Sequence, residues 1–145
     1  MQEALCEAAI AASLGEIPVG SVVVHKGEII ARTHNSNRTM HDPTLHAEME
    51  AIRAATRVLS NERLCGCSLY VTKEPCAMCA GAIIHSRIER VFIGTRDTKY
   101  GACGTVFKIL GNTSFNHIPT IEFGLLEKEA AEMLSSFFTS LRNRE

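Results

Sequence analysis

No stretch of this chain is apolar for long enough to cross a membrane. A spanning helix needs about 20 consecutive apolar residues, and the longest runs among these 145 residues fall well short. Basic residues are missing from the N-terminus. "MQEALCEAAIAAS" carries Glu3 and Glu7 as its only charges, which excludes the basic start of a signal peptide and an Arg-rich transit peptide. This segment reads as a first helix, and the expected location is the cytoplasm. A charge excess of either sign is also missing. Fifteen Lys and Arg stand against 16 Asp and Glu, a net charge of −1. No global basic field announces a nucleic-acid partner, although a local basic patch is enough to bind one. Repeats, low-complexity tracts and linkers are absent. One domain spanning residues 1–145 follows, long enough to bury a sizeable core.

Six cysteines are present: Cys6, Cys65, Cys67, Cys76, Cys79 and Cys103. An even count invites a disulfide framework. The chain is too long and too apolar to need one, and a reducing cytosol argues against it. Cys6, Cys65, Cys67 and Cys103 read as small buried hydrophobes. Cys76 and Cys79 stand apart because they form C-x-x-C.

Apolar spacing predicts an amphipathic helix over about residues 2–14, ended by Gly15. A hairpin follows, with strands at 22–24 and 29–31 and a Lys26-Gly27 turn. Residues 34–45 read as a polar loop. Thr44 is the expected N-cap of a second helix, whose inner face is Leu45, Met49, Ile52, Ala55 and Leu59. Strands are expected at 67–72 and 90–95. Between them lies a short helix over 75–86 with Pro75 in its first turn. Residues 97–119 read mostly as loop, with a helical turn at 106–110. A strand at 120–125 and a helix over 127–141 close the chain. Strands alternating with helices give an α/β domain of three layers, and the hairpin makes its sheet mixed.

The chemistry concentrates in two short segments. Cys76 and Cys79 start a helix, where the dipole and free N–H groups favour thiolates. Their spacing lets both sulfurs face one ion. Soft thiolates plus an imidazole suit zinc, and His46, at the start of another helix, is the obvious third ligand. His85, Cys65, Cys67 and Cys103 are candidates for a fourth, but none has a paired spacing. Three protein ligands and an open position describe a catalytic zinc, which brings the pKa of its water toward ~7. Glu48, two residues after His46, is placed to shuttle that water's proton without ligating the metal. The competing reading is a structural zinc beside a surface glutamate. H-x-E alone is a weak signal, but together with P-C-x-x-C about 30 residues on it completes the zinc deaminase signature.

With those residues in place, the chain resembles the bacterial tRNA adenosine deaminases over nearly its whole length. The matching stretches are "GEIPVGSVVV", "HDPTLHAEMEAIRAA", "LYVTKEPCAMCAGAIIHSRIERVFIGTRD", "FNH" and "LSSFFTSLR". The resemblance implies a three-layer α/β/α cytidine deaminase-like fold with a mixed five-stranded sheet, a homodimer, and zinc-hydroxide deamination of a tRNA wobble adenosine to inosine. It implies His46, Cys76 and Cys79 as ligands of one Zn2+ per subunit and Glu48 as the catalytic proton shuttle. It places Asn35 on the purine, Asp97 on the sugar-phosphate region and Phe138 near the anticodon stem-loop. Lys73 departs from the family, which commonly has an apolar residue there. Phe137 and Phe138 are adjacent on one helix, so one of them is expected in the core.

Two other readings stand beside this one. A deaminase of a free base or nucleotide, such as guanine, cytosine or a pyrimidine nucleotide, uses the same metal chemistry and suits the neutral net charge. A zinc-stabilised RNA-binding subunit without activity has no use for Glu48. Arg87, Arg90, Arg96 and Lys99, with Arg142 and Arg144 at the end, are the expected basic contacts of an RNA substrate.

Overall fold

The computed structural model describes residues 1–144. Four helices, α1 (Gln2–Ser13), α2 (Ala47–Leu59), α3 (Ala77–His85) and α4 (Glu127–Arg142), surround five strands. These are β1 (Gly20–His25), β2 (Glu28–His34), β3 (Cys67–Lys73), β4 (Arg90–Thr95) and β5 (Thr120–Phe123). The strand order is β2-β1-β3-β4-β5. β1 runs antiparallel to both β2 and β3, while β3, β4 and β5 are parallel.

Side-chain alternation along β1 separates the two faces of the sheet. A Cβ on Gly20 would collide with the Ala4 carbonyl and the Ala8 backbone nitrogen, so α1 lies against that face. Val23 points the other way, into a core shared with Ala47 and Ala51 of α2 and Ile83 of α3. α4 covers the α1 side, where a Cβ on Gly94 would come within 3.1 Å of the Ala130 Cβ. The sheet therefore sits between α1 with α4 and α2 with α3, the expected three layers.

This topology gathers the chemistry at one edge. β2 is antiparallel to β1, which is antiparallel to β3, so β2, β3 and β4 all point the same way. Asn35 follows the end of β2, Cys76 follows β3, and Asp97 follows β4. Crevices beyond the carboxyl ends of parallel strands are where open α/β sheets bind ligands.

Several local expectations need correction. His46, not Thr44, is the N-cap of α2. Thr44 is drawn into a turn instead: its N–H and hydroxyl both donate to Asp42 Oδ1, at 2.8 and 2.7 Å. The buried stripe of α2 is Ala47, Glu48, Ala51, Ile52 and Ala55. Alanines let the helix approach the sheet closely, so Met49 and Leu59 turn partly outward. Pro75 precedes α3, whose N-cap is Cys76. No helical turn forms at 106–110. An isolated bridge between Cys103 and Lys108 holds that segment. Cys67 and Cys103 are buried as expected, whereas Cys6 and Cys65 are exposed. The Lys26-Gly27 turn forms as read, with φ of 51° and 78°, the left-handed pair that a two-residue hairpin requires.

Candidate active site

α2 and α3 meet with their N-termini close together, and this brings distant ligands into one cluster. His46 Nδ1 lies 3.6 Å from Cys76 Sγ and 3.6 Å from Cys79 Sγ. The three donor atoms all lie within 4.8 Å of one another. Tetrahedral zinc with ordinary Zn–S and Zn–N bonds sets neighbouring donors about 3.5–3.8 Å apart. The donor set therefore fits zinc in both chemistry and spacing. Among the described residues, this is the one group of three or more His, Cys, Asp or Glu side chains with such convergence. No fourth His, Cys, Asp or Glu among the described residues joins it, so a metal held there would keep a position for water or substrate.

The electrostatics favour a cation at this point. Hydrogen bonding from Cys79 holds the Cys76 thiol down to about 4, helped by His46. That pairing and burial push Cys79 up. Cys76 in turn raises His46. Without a metal the cluster therefore favours a Cys76 thiolate beside a protonated His46, and a metal cation that displaces the His46 proton meets a thiolate already formed.

Glu48 lies in the first turn of α2 and is 4% exposed. A carboxylate loses its hydration there. Burial pushes its carboxyl up to about 7, against the opposing pull of His46 and Lys73. A carboxyl poised near neutrality can both accept and donate a proton at working pH.

The remaining expected site residues converge on the same cavity, which has a volume of about 940 Å³ and is lined by Asn35, His46, Glu48, Cys76, Asp97 and Phe138 among others. Asn35 has a structural task that was not legible in the sequence. Its Oδ1 accepts the Ala47 N–H at 2.9 Å, satisfying the first turn of α2, and its Nδ2 donates to the Ile17 carbonyl at 3.2 Å. One acceptor lone pair and one N–H remain for a ligand. Asn35→Ala is expected to destabilise the fold by about 1–3 kcal/mol, because it strands the buried Ala47 N–H. Urea unfolding of the metal-loaded protein measures this.

Asp97 is 7% exposed and heavily committed. Oδ1 accepts the N–H groups of Lys99 and Tyr100, at 2.9 and 3.1 Å, and Oδ2 pairs with Lys73 Nζ at 2.9 Å. Burial opposes ionisation, but Lys73 and these N–H groups hold the carboxyl below the ordinary range. Lys73 is therefore the ion-pair partner of Asp97 at the cavity wall. Phe138 is 40% exposed at the rim, in T-shaped contact with a half-buried Phe137; neither ring belongs to the core, so the expected core member of the pair is not found.

Of the expected basic contacts, Arg96, Lys99 and Arg142 line the cavity. Arg96 also stacks on the Phe123 ring at 3.9 Å. Arg90 begins β4 at the opposite end from Asp97, and Arg87 donates to Asn116 Oδ1 at 2.8 Å. Neither lines the cavity.

Sequence reasoning also missed Glu74. Its buried carboxylate accepts the N–H groups of Asp97, Cys103 and Thr105 at 3.0, 3.0 and 3.2 Å, and the Thr105 hydroxyl. This clamps the 97–105 loop onto the segment that carries Cys76. A side chain at Gly101 would strike that carboxylate at 2.5 Å. The available signal was an acid wedged between a buried strand and the Pro75-Cys76 step.

The family model described as MafB19-like deaminase matches residues 1–142. A "tRNA-specific adenosine deaminase" of Aquifex aeolicus is 49% identical over 143 residues, covering 99% of this chain and 94% of that protein. A solved structure from work on A-to-I editing by tRNA:A34 deaminases at the wobble position has a TM-score of 0.89 at 44% identity. That match covers 92% of this chain and 97% of the other. A guanine deaminase of Bacillus subtilis is further off in shape, with a TM-score of 0.65 at 35% identity, covering 98% of this chain and 90% of that one. A fold with this His-Cys-Cys cluster, this buried glutamate and relatives this similar over nearly their full length belongs to the zinc-dependent cytidine deaminase superfamily, and within it to the family of tRNA-specific adenosine deaminases.

Proposed function

We propose that this chain deaminates the wobble adenosine of a tRNA anticodon to inosine, acting as one domain over residues 1–145 with one zinc ion per subunit. The observation that carries this reading is a buried proton carrier beside a three-donor metal cluster, at the floor of a cavity with an aromatic and basic rim. Family membership supports a homodimer and a cytoplasmic location.

His46, Cys76 and Cys79 would hold the zinc, which when bound supplies a water acidic enough to attack at neutral pH. Glu48 receives the proton that the attacking water releases and delivers it to the departing amino group. In the net change, water oxygen replaces the exocyclic nitrogen at C6 of adenine, and ammonia leaves. Asn35 offers its free amide valences to the purine. Asp97 fixes the 97–100 turn and faces the sugar-phosphate region, while Phe138 meets the anticodon loop. Single-stranded loop bases are the ones that proteins splay out and stack in RNA, and extruding an unpaired base costs little.

The rim supports an RNA over a free base. A pocket for a small ligand buries most of it, yet here Phe138 and Tyr100 stand 40% and 65% exposed at the mouth. Exposed aromatics beside Lys99 and Arg142 suit a strand that continues past the target nucleotide. Truncation after Ser136, or the milder pair Phe138→Ala with Arg142→Ala, is expected to lower deamination of an anticodon stem-loop steeply. Activity on a short adenosine-containing oligonucleotide should fall far less. Stem-loop affinity should weaken with rising salt, as counterion release requires. Salt-insensitive binding together with normal editing by the folded truncation would refute the RNA reading.

A further inference from the structure

Among the described residues, a single side-chain oxygen or nitrogen is buried without a hydrogen-bond partner: Asn37 Oδ1. Such a group costs free energy in the empty protein, so it calls for an explanation. Asn37 lines the cavity that also holds His46, Glu48 and Asn35.

The backbone around Asn37 is fixed on both sides. Asn35 N–H donates to the Val19 carbonyl at 3.1 Å, and Ser36 N–H donates to the Leu45 carbonyl at 3.1 Å. Beyond Asn37, the buried Glu16 carboxylate accepts the N–H groups of Arg38 and Thr39, at 3.2 and 2.6 Å. The Asn37 carbonyl itself accepts the Asp42 N–H at 3.1 Å. The backbone that carries the carboxamide is thus fixed at the cavity wall, while Oδ1 has no protein partner among the described residues. A polar group that is positioned but unpaired is what a recognition site needs before its ligand arrives.

We propose that Asn37 is a positioning and specificity residue that hydrogen-bonds the ribose 2′-hydroxyl of the target nucleotide. This rests on the reading of the substrate as RNA. Three features of the chemistry select the hydroxyl. It is both donor and acceptor, so it satisfies the carboxamide whichever end faces the cavity. It is unchanged by the reaction, unlike the exocyclic amine, which leaves. It is also the group by which a protein tells RNA from DNA.

The test compares two ACG-anticodon stem-loops, identical except for a 2′-deoxy target adenosine. Both are assayed for inosine with zinc-loaded wild type, Asn37→Leu and Asn37→Ala. Wild type should prefer the ribose target by about 3- to 10-fold, the range of one net hydrogen bond. Both variants should bring that ratio close to one, chiefly by losing rate on the ribose target. Asn37→Leu is close in shape and removes a buried unpaired oxygen, so its melting temperature should match or exceed that of wild type.

A ribose preference that is absent in wild type, or unchanged in both variants, overturns the proposal. Lowered melting with an unchanged ratio makes Asn37 purely structural and also overturns it. If wild type deaminates neither stem-loop, the RNA substrate itself is refuted, and the ribose contact falls with it.

Discussion

Glu48→Gln is expected to retain its metal and its fold while losing turnover by about 10²–10⁴-fold, the usual contribution of a positioned proton-transfer group. The variant keeps the shape and hydrogen-bonding reach of the side chain, but an amide cannot take up and release a proton. Glu48 does not belong to the donor cluster of His46, Cys76 and Cys79, so metal content should stay at the wild-type level. Its carboxyl is buried and pushed up to about 7, so it contributes no surface charge that folding depends on. The melting temperature should hold or rise. Metal analysis and turnover on the same preparation decide the point. Loss of metal would make Glu48 a ligand or a support for one. Turnover within a few-fold of wild type would remove it from the chemistry.

Chelation, or Cys76→Ser, is expected to lower thermal stability as well as abolish activity. The donors come from two segments, with His46 at the start of α2 and the cysteines at the start of α3. A cation held between them ties those helix ends together, and its binding free energy adds to folding. Zinc at about 100 times its Kd adds about 2.7 kcal/mol. For a chain of this size that is a shift of about 5–10 °C in Tm. Wild type with chelator, and Cys76→Ser with or without it, should melt at nearly the same temperature, with zinc-loaded wild type above them. The remaining core, from Val23 and Leu69 to Ile83 and Ile93, does not involve the donors, so the apo protein should still unfold cooperatively. Equal melting of loaded and chelated wild type would contradict the assignment.

The convergence of His46, Cys76 and Cys79 was legible because its information is local. C-x-x-C at a helix start and H-x-E at another each place their groups within one turn, and only the meeting of the two helices had to be supplied by the fold. The strands and helices were legible for a similar reason, since periodicity is a local property. What escaped depends on pairings across long separations. Asn35 satisfies Ala47 across 12 residues, and Glu74 gathers a loop 23 to 31 residues away. Neither pairing leaves a pattern in the intervening sequence. On α2, Ile52 and Ala55 are buried as expected and Leu59 packs against the core, but the large residues drew the stripe toward Met49 and away from Ala47 and Ala51, whose small side chains allow close approach to the sheet. The same face carries the buried Glu48. The 106–110 segment has a short apolar run with no cap, and a bridge from Lys108 back to Cys103 took its backbone away from a helix.

This cavity is expected to deaminate an adenosine presented by RNA. One measurement tests it most directly: zinc-loaded protein is given an ACG-anticodon stem-loop together with free adenosine, cytidine and guanine, and all products are followed by mass spectrometry. Inosine at the first anticodon position of the stem-loop, with the free compounds left unchanged, is the expected result. Xanthine or uridine accumulating while the stem-loop stays unmodified would contradict it and make this chain a deaminase of small molecules.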